Sequence, residues 1–397
     1  MALKKRALTL TAAVALATAI STLLVPQAWG AKYKVLHAFG KGGDGAGLWG
    51  SLLLDSKGNV YGTTVAGGEY GGGTAFELTP QPNGSWAEAV LYGFCSKPEC
   101  TDGGGSTAGL TSDAAGNLYG TTQSGGAHVY GTVFELTPQS NGTWVETVLY
   151  NFPIPGGGCC PYGGVAIDKS NNLYGATYSA FELSPGSNGW TATVLHNFTG
   201  RHGDGSGPYA APILDAAGNL YGTTEHGGYS KGCGGGCGAI YELSPRPGGK
   251  WKETILFGFQ TDGAFPGVGA LALDRAGNLY GTTTSGTIFK LTPGTDGHWK
   301  FTVLYIVADE PAAGVVIDKS HNLYGTTING GDYGCGDIYK LAPGPKGKWT
   351  YTVLHSFTGA DGCQPDANLI LDRKGNLYGT TATGGAGGAG VAFELTP

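Results

Sequence analysis

Two histidines and two carboxylates stand close together in this chain, His202 and Asp204 in one glycine-rich stretch and Glu225 and His226 in the next. A His beside a carboxylate is the pairing that general acid–base chemistry uses, because imidazole titrates near neutral pH and a carboxylate can orient it. The plainer reading is two solvated loop histidines. Asp-Gly recurs at Asp44, Asp102, Asp204, Asp262 and Asp361, with Asp309 in a variant stretch, and a tyrosine follows a Gly-Gly pair at Tyr70, Tyr130, Tyr229 and Tyr333. Asp can nucleate a turn whose Gly takes a positive φ, and Tyr can pin a glycine-rich loop. The same rings and carboxylates also suit a sugar, a peptide or a cation. His202, Asp204, His226, Tyr229 and Asp262 are therefore the candidate ligand-binding residues.

The eight cysteines offer a second chemistry. Cys233 and Cys237 in CGGGC look like half a zinc site, but no second pair follows at metal spacing, so no metal is expected. Disulfides are the reading for an exported chain. Cys95 with Cys100 and Cys233 with Cys237 are near enough to bridge within one loop, and Cys335 with Cys363 would link two neighbouring loops. Cys159 and Cys160 are adjacent and harder to place. The chain shows no GxSxG, HExxH, phosphate-binding loop or EF-hand pattern. No catalytic residue is assigned and no cofactor is expected; a bound cation such as calcium has no motif behind it.

What must position these residues is a repeat. NLYGTT begins at Asn117, Asn219, Asn278, Asn322 and Asn376, with NVYGTT at Asn59 and NLYGAT at Asn172. Around it each unit writes an apolar run ending in Asp (SLLLD, APILD), then the phrase itself, then a GTVFELTP segment, then a WVETVLYNF segment. These pieces are short, rich in Val, Leu, Thr, Tyr and Phe, and separated by Gly, Asn, Asp and Pro, which predicts strands joined by hairpins. Seven such units predict an all-β, seven-bladed β-propeller of four-stranded antiparallel blades. A β-helix or an open stack of sheets is the alternative. The last unit stops after its third segment at Pro397, while AKYKVLHAF at Ala31 matches the fourth-segment pattern. The ring is therefore expected to close by residues 33–39 pairing into the last blade and burying Val35, Leu36 and Phe39, which leaves no open sheet edge. The glycine of NLYGTT is expected to make room for an aromatic ring of the adjacent blade. In such blades all eight cysteines fall on one face, with the Asp-Gly and Tyr themes. The loop from Glu225 to Gly238 is long between short ones at Tyr178 and Ser285, so clefts are expected beside it.

Composition and the first residues bound the setting. Gly and Pro, 75 and 20 of 397 residues, approach the level of low-complexity sequence, but 41% hydrophobic residues in register argue for a packed fold. Residues 1–30 carry Lys4, Lys5 and Arg6, an apolar run from Ala7 to Val25, and Ala28-Trp29-Gly30, the pattern of a signal peptide cleaved before Ala31. Thr9, Thr11, Thr18, Ser21 and Thr22 interrupt the run, against a membrane anchor. One domain, residues 31–397, is expected. Without the leader 20 Lys and Arg face 29 Asp and Glu, a net charge of −9. Nucleic acid is an unsuitable partner for such a surface. The expected location is secreted or periplasmic, as a monomer.

The wording D-x-x-G-N-L-Y-G-T-T followed by G-T-V-F-E-L-T-P resembles the Gloeo/Verruco tandem repeat of exported bacterial proteins over residues 31–397. More loosely it is similar to NHL, streptogramin-lyase and sensor-type propellers. The resemblance implies an exported repeat protein and carries over no catalytic residue. Some members bear a C-terminal sorting anchor; ending at Pro397 suggests a soluble product. The function expected is binding of a glycan or a protein at the cysteine-bearing loop face. A streptogramin-lyase-like enzyme using His202 or His226, and a structural envelope component, remain open.

Overall fold

Each letter of the repeated phrase has a separate physical task in the computed structural model, which describes residues 30–153, 160–229, 233, 235–260, 266, 269–311 and 313–397. The Asn closes a hairpin. In all seven copies its backbone N–H and side-chain amide donate to the two carboxylate oxygens of the preceding Asp, as Asn59 does to Asp55 and Asn117 to Asp113. The residue just before the Asn takes positive φ, a Gly in five copies, +90° at Gly58, and Asn171 and His321 in the other two. The Leu is core, and the Tyr hydroxyl returns to the same Asp or to a Glu of the third strand, at 2.8 Å from Tyr61 to Glu77. The first Thr bonds across to the next blade, Thr63 to the Ala108 carbonyl at 2.8 Å and Thr121 to that of Gly163 at 3.0 Å. The second Thr holds the following loop, as Thr64 does through the N–H of Thr74.

The glycine faces an aromatic ring, but of its own blade. Gly62 lies directly opposite Phe76 on the third strand, and the same pairing recurs from Gly120 and Phe134 to Gly379 and Phe393. A Cβ on Gly62 would stand 2.5 Å from the Phe76 ring. The expectation of a neighbouring blade's ring is corrected by register: cross-strand partners on one face are closer than anything across a blade interface.

The described residues form seven four-stranded antiparallel sheets and one two-stranded ribbon, with no α-helix. Blade 1 comprises Leu53–Leu54, Val60–Thr63, Thr74–Pro80 and Trp86–Gly93. Blades 2 to 6 span 111–151, 166–197, 213–258, 272–306 and 316–356. Blade 7 takes three strands from 370–396 and its fourth from Lys32–Ala38, paired antiparallel with Val391–Thr396. The chain is thus an all-β seven-bladed propeller closed by its N-terminal strand. Seven buried apolar clusters, one at each interface, stitch the ring. Between blades 7 and 1 Leu36, Phe39, Leu52, Val60 and Phe76 meet Tyr378 and Ala392. Thr380 bonds to the Gly50 carbonyl across the same seam.

The closing strand corrects one detail. Leu36 and Phe39 are buried, but Val35 is 36% exposed. A β-bulge between Val35 and His37 turns Leu36 inward and leaves the Val on the rim. The same happens to Val90, Val194 and Val303 in other blades, where the outermost strand has solvent on one side.

Candidate functional site

Where the innermost strands converge, only small residues fit. Three and two places before the first strands stand Gly50-Ser51, Ala108-Gly109, Gly163-Gly164, Ala210-Ala211, Gly269-Ala270, Ala313-Gly314 and Ala367-Asn368. A Cβ on Gly50 would meet the Ala108 backbone at 2.5 Å, and one on Gly163 the Ala210 backbone at 2.7 Å. The residue just ahead of this pair looks into the space the ring leaves. There the repeat places Trp49, Thr107, Tyr162, Tyr209 and Asp366, which line a cavity of about 770 Å³ together with Glu225, Glu310 and Asn368.

The cavity mixes rings and carboxylates. Trp49 and Tyr162 are about half exposed, and Tyr162 meets Tyr209 edge-on at 5.1 Å. Burial and the Glu225 carboxylate push the Tyr209 hydroxyl above its usual range. Asn368 accepts the Gly314 N–H at 2.7 Å, which fixes its amide. Burial, and then the charge of Glu310, push Asp366 up to about 6. An acid whose native pKa lies above its unfolded value of about 3.9 holds its proton longer in the fold. The stability this gives is present below about pH 4 and is lost as pH rises through about 6. Asp366→Asn should therefore melt less steeply with pH than the parent across that window, and higher than the parent at pH 7. Parallel melting curves from pH 4 to 7.5 would contradict the assignment.

The residues named from the sequence are distributed differently. His202, Asp204 and Tyr229 line a second cavity, of about 500 Å³, at the outer seam between blades 3 and 4. His202 sits in the loop after blade 3 with φ of +56°. Tyr229 is 67% exposed and its ring lies over Gly203. His226 belongs to a two-residue strand, His226–Gly227, that pairs with Gly205–Ser206, and its ring faces the neighbouring Glu225 at 3.7 Å. Glu225 itself faces the axial cavity. Asp262 lies outside the described residues.

Asp204 makes its histidine contact with His196. One oxygen meets His196 Nε2 at 3.0 Å, and the other accepts the backbone N–H and the hydroxyl of Thr199, each at 2.6 Å. Burial raises its pKa, but these hydrogen bonds and the His196 contact outweigh it, so the carboxyl stays below its usual range. Asp44 with His37 and Asp361 with His355 repeat the pairing at 2.8 and 3.0 Å. The signal was present in the sequence: KVLHAF, TVLHNF and TVLHSF each place a His ahead of an Asp-Gly. The Asp-Gly theme thus anchors a turn, and in three blades also a strand histidine.

Three disulfides tie the loop face: Cys95 to Cys100, Cys233 to Cys237, and Cys335 to Cys363. The last joins the loop after the second strand of blade 6 to the loop after its fourth. Cys159 lies outside the described residues. Among these residues no helix is long and apolar enough to cross a membrane.

Comparison with known proteins adds the family and the fold. The sequence profile described as the Gloeobacter/Verrucomicrobia repeat matches residues 22–187 and 284–397, together well over half the chain. No curated protein matches. The extracellular domain of a hybrid two-component system of B. thetaiotaomicron is similar in structure, with a TM-score of 0.58 and 14% identity over 93% of this chain. This chain spans 42% of that protein's chain, so the likeness concerns the propeller alone. A gluconolactonase of Xanthomonas campestris gives a TM-score of 0.43 at 14% identity, covering 92% of this chain and 89% of that one.

Proposed function

The chain belongs to the Gloeobacter/Verrucomicrobia repeat family, and from that premise we propose that it is an exported binding propeller that recognises a glycan through the axial cavity on its loop face. The observation that carries this reading is the ring of repeat-equivalent positions around the axis, which sets Trp49, Tyr162 and Tyr209 against Glu225, Glu310, Asp366 and Asn368 in one cavity. Aromatic faces stack on the apolar face of a sugar ring, while carboxylates and a fixed amide accept and donate hydrogen bonds to its hydroxyls. An all-aliphatic cavity would not offer both. The three disulfides fit an oxidising compartment outside the cytoplasm, and the leader at residues 1–30 supplies the route.

The test is a glycan array probed with residues 31–397, followed by titration of the best hit. Truncating a central aromatic anchor costs about 2 kcal/mol or more, roughly 30-fold in affinity. Trp49→Ala and Tyr209→Ala should each lose at least that, with melting nearly unchanged, because both rings are partly open to solvent. Retention of the glycan by both variants would place binding elsewhere. A silent array would remove the glycan reading altogether.

A further inference from the structure

Five of the outer seams between blades are built from one set of three described positions, which makes them comparable; the loop after blade 2 carries no Asp, and Asp262 lies outside the described residues. One position lies on the fourth strand of a blade, one is the Asp of the loop that follows, and one lies on the fourth strand of the next blade. Two seams fill the strand positions with stacked rings, Phe257 on Phe301 at 4.1 Å and Tyr305 on Tyr351 at 5.1 Å, and a third stacks His355 on Tyr33 at 3.9 Å. The seam between blades 1 and 2 instead holds Tyr92, Asp102 and Glu146. There two carboxylates come together, and the Lys97 ammonium reaches Glu146 at 2.6 Å. The seam between blades 7 and 1 holds His37, Asp44 and Glu88, and the seam between blades 3 and 4 holds His196, Asp204 and Glu253; among the described residues only the second set brings all three groups within metal-binding reach.

We propose that His196, Asp204 and Glu253 form a binding site for one divalent transition-metal ion of the zinc class. One nitrogen and two carboxylate oxygens, each from a different element, lie within 4.8 Å of one another, and among the described residues no other group of three does so. His196 Nε2 is 3.0 Å from Asp204 Oδ1 and 3.6 Å from Glu253 Oε2. A tetrahedral ion with bonds of 2.0–2.1 Å needs ligand-to-ligand edges of about 3.3–3.4 Å, which those two separations bracket. Thr199 already grips the second oxygen of Asp204, leaving Oδ1 directed at the triad, the outer support that metal ligands ordinarily have. Glu253 Oε1 is buried without a hydrogen-bond partner, as are the equivalent Glu88 Oε1 and Glu146 Oε1, and such an atom is costly unless something positive satisfies it; only at Glu253, among the described residues, do a histidine nitrogen and a second carboxylate oxygen stand close enough to share an ion.

The repeat supplies its own comparison. Glu253 lies opposite Leu243 as Glu146 lies opposite Leu136. Where the chain puts two carboxylates in this seam between blades 1 and 2, it brings a lysine to them. In the seam between blades 3 and 4, the ion pair Glu253 makes among the described residues is with His196, although Arg201 and Lys252 line the adjoining cavity. That cavity, with Tyr229 and His202 on its wall, leaves the fourth coordination position to water or to an oxygen of a small ligand. The sequence gives no metal-ligand spacing here because the ligands come from two blades and the loop between them.

The experiment uses residues 31–397 stripped with EDTA and titrated calorimetrically with Zn²⁺, with Co²⁺ as an optical probe. One ion per chain should bind, and Co²⁺ should give visible bands of a low-coordinate site. Loss of an outer-shell partner alone costs about 10–100-fold in metal affinity, so Glu253→Gln and His196→Gln should each weaken Zn²⁺ by at least about 100-fold. Glu146→Gln, in the seam with the lysine, should leave Zn²⁺ binding unchanged. Melting of each metal-free variant confirms its fold, and Glu253→Gln, nearly isosteric, serves if His196→Gln does not fold. Absence of binding at millimolar Zn²⁺, or undiminished binding to Glu253→Gln, overturns the proposal.

Discussion

A chain beginning at Lys41 should fail to give a stable monomeric propeller, and the peptide of residues 31–40 added separately should restore it. The deleted piece supplies the fourth strand of blade 7, and it also reaches both neighbouring blades. Tyr33 stacks on His355 and donates to the Asp361 carbonyl at 2.7 Å, binding blade 6. Lys34 reaches the Gly84 carbonyl of blade 1 at 2.6 Å, and Phe39 packs on Phe76 at 4.7 Å. Burying each of Tyr33, Leu36 and Phe39 stabilises by about 1.5–3 kcal/mol, against a net stability of roughly 5–15 kcal/mol for a typical domain. The deletion also bares the edge of Val391–Thr396, whose free N–H and C=O groups would pair with another molecule. Thermal melting and size-exclusion chromatography decide the matter. If the truncated chain melts within about two degrees of the parent and elutes as a monomer, the strand does not close the ring in the way its pairing implies.

The architecture was legible because the repeat states the same local solution seven times, and an error in reading one copy is corrected by the next. Strand order, the number of blades and the closing strand all follow from aligning copies. Details that depend on register within a blade were less legible. NLYGTT calls for a small residue facing a ring, but only the pairing of Gly62 with Phe76 says whose ring it is. The axial residues were missed for another reason. Trp49, Thr107, Tyr162, Tyr209 and Asp366 are of four types, so no motif joins them; what they share is a position, six places before the hairpin Asp of their repeats. Reading columns of the repeat rather than its conspicuous residues would have found them. The Asp-Gly theme misled in the opposite direction, because a repeated carboxylate looks like a binding surface until Thr199 and His196 are seen to hold it.

Gly62→Ala should destabilise by about 3 kcal/mol, reversing the usual sign for such a change. In a strand without a steric obstacle, replacing Gly by Ala stabilises by roughly 0.5–1 kcal/mol, because the unfolded chain has less freedom to lose. Here the new methyl would stand 2.5 Å from Phe76 Cζ and 3.0 Å from Leu52 Cδ2. Neither can retreat: Phe76 is fully buried, Leu52 nearly so, and the ring is backed by Phe39. Overpacking of this kind costs about 1–3 kcal/mol, occasionally more, and the forgone gain adds to it. The double variant Gly62→Ala with Phe76→Leu separates space from backbone. If the clash is the cause, the shorter side chain should recover part of the loss, with a coupling of about 1–3 kcal/mol in a double-mutant cycle. Gly58→Ala, at a hairpin with φ of +90° and no atom within 4 Å of the added carbon, should cost about 1 kcal/mol by strain alone, and Phe76→Leu should not relieve it. Urea melts of the parent, the three single variants and the two double variants give both numbers. Additive effects at Gly62 and Phe76 would mean that the glycine of NLYGTT serves the backbone and not the ring.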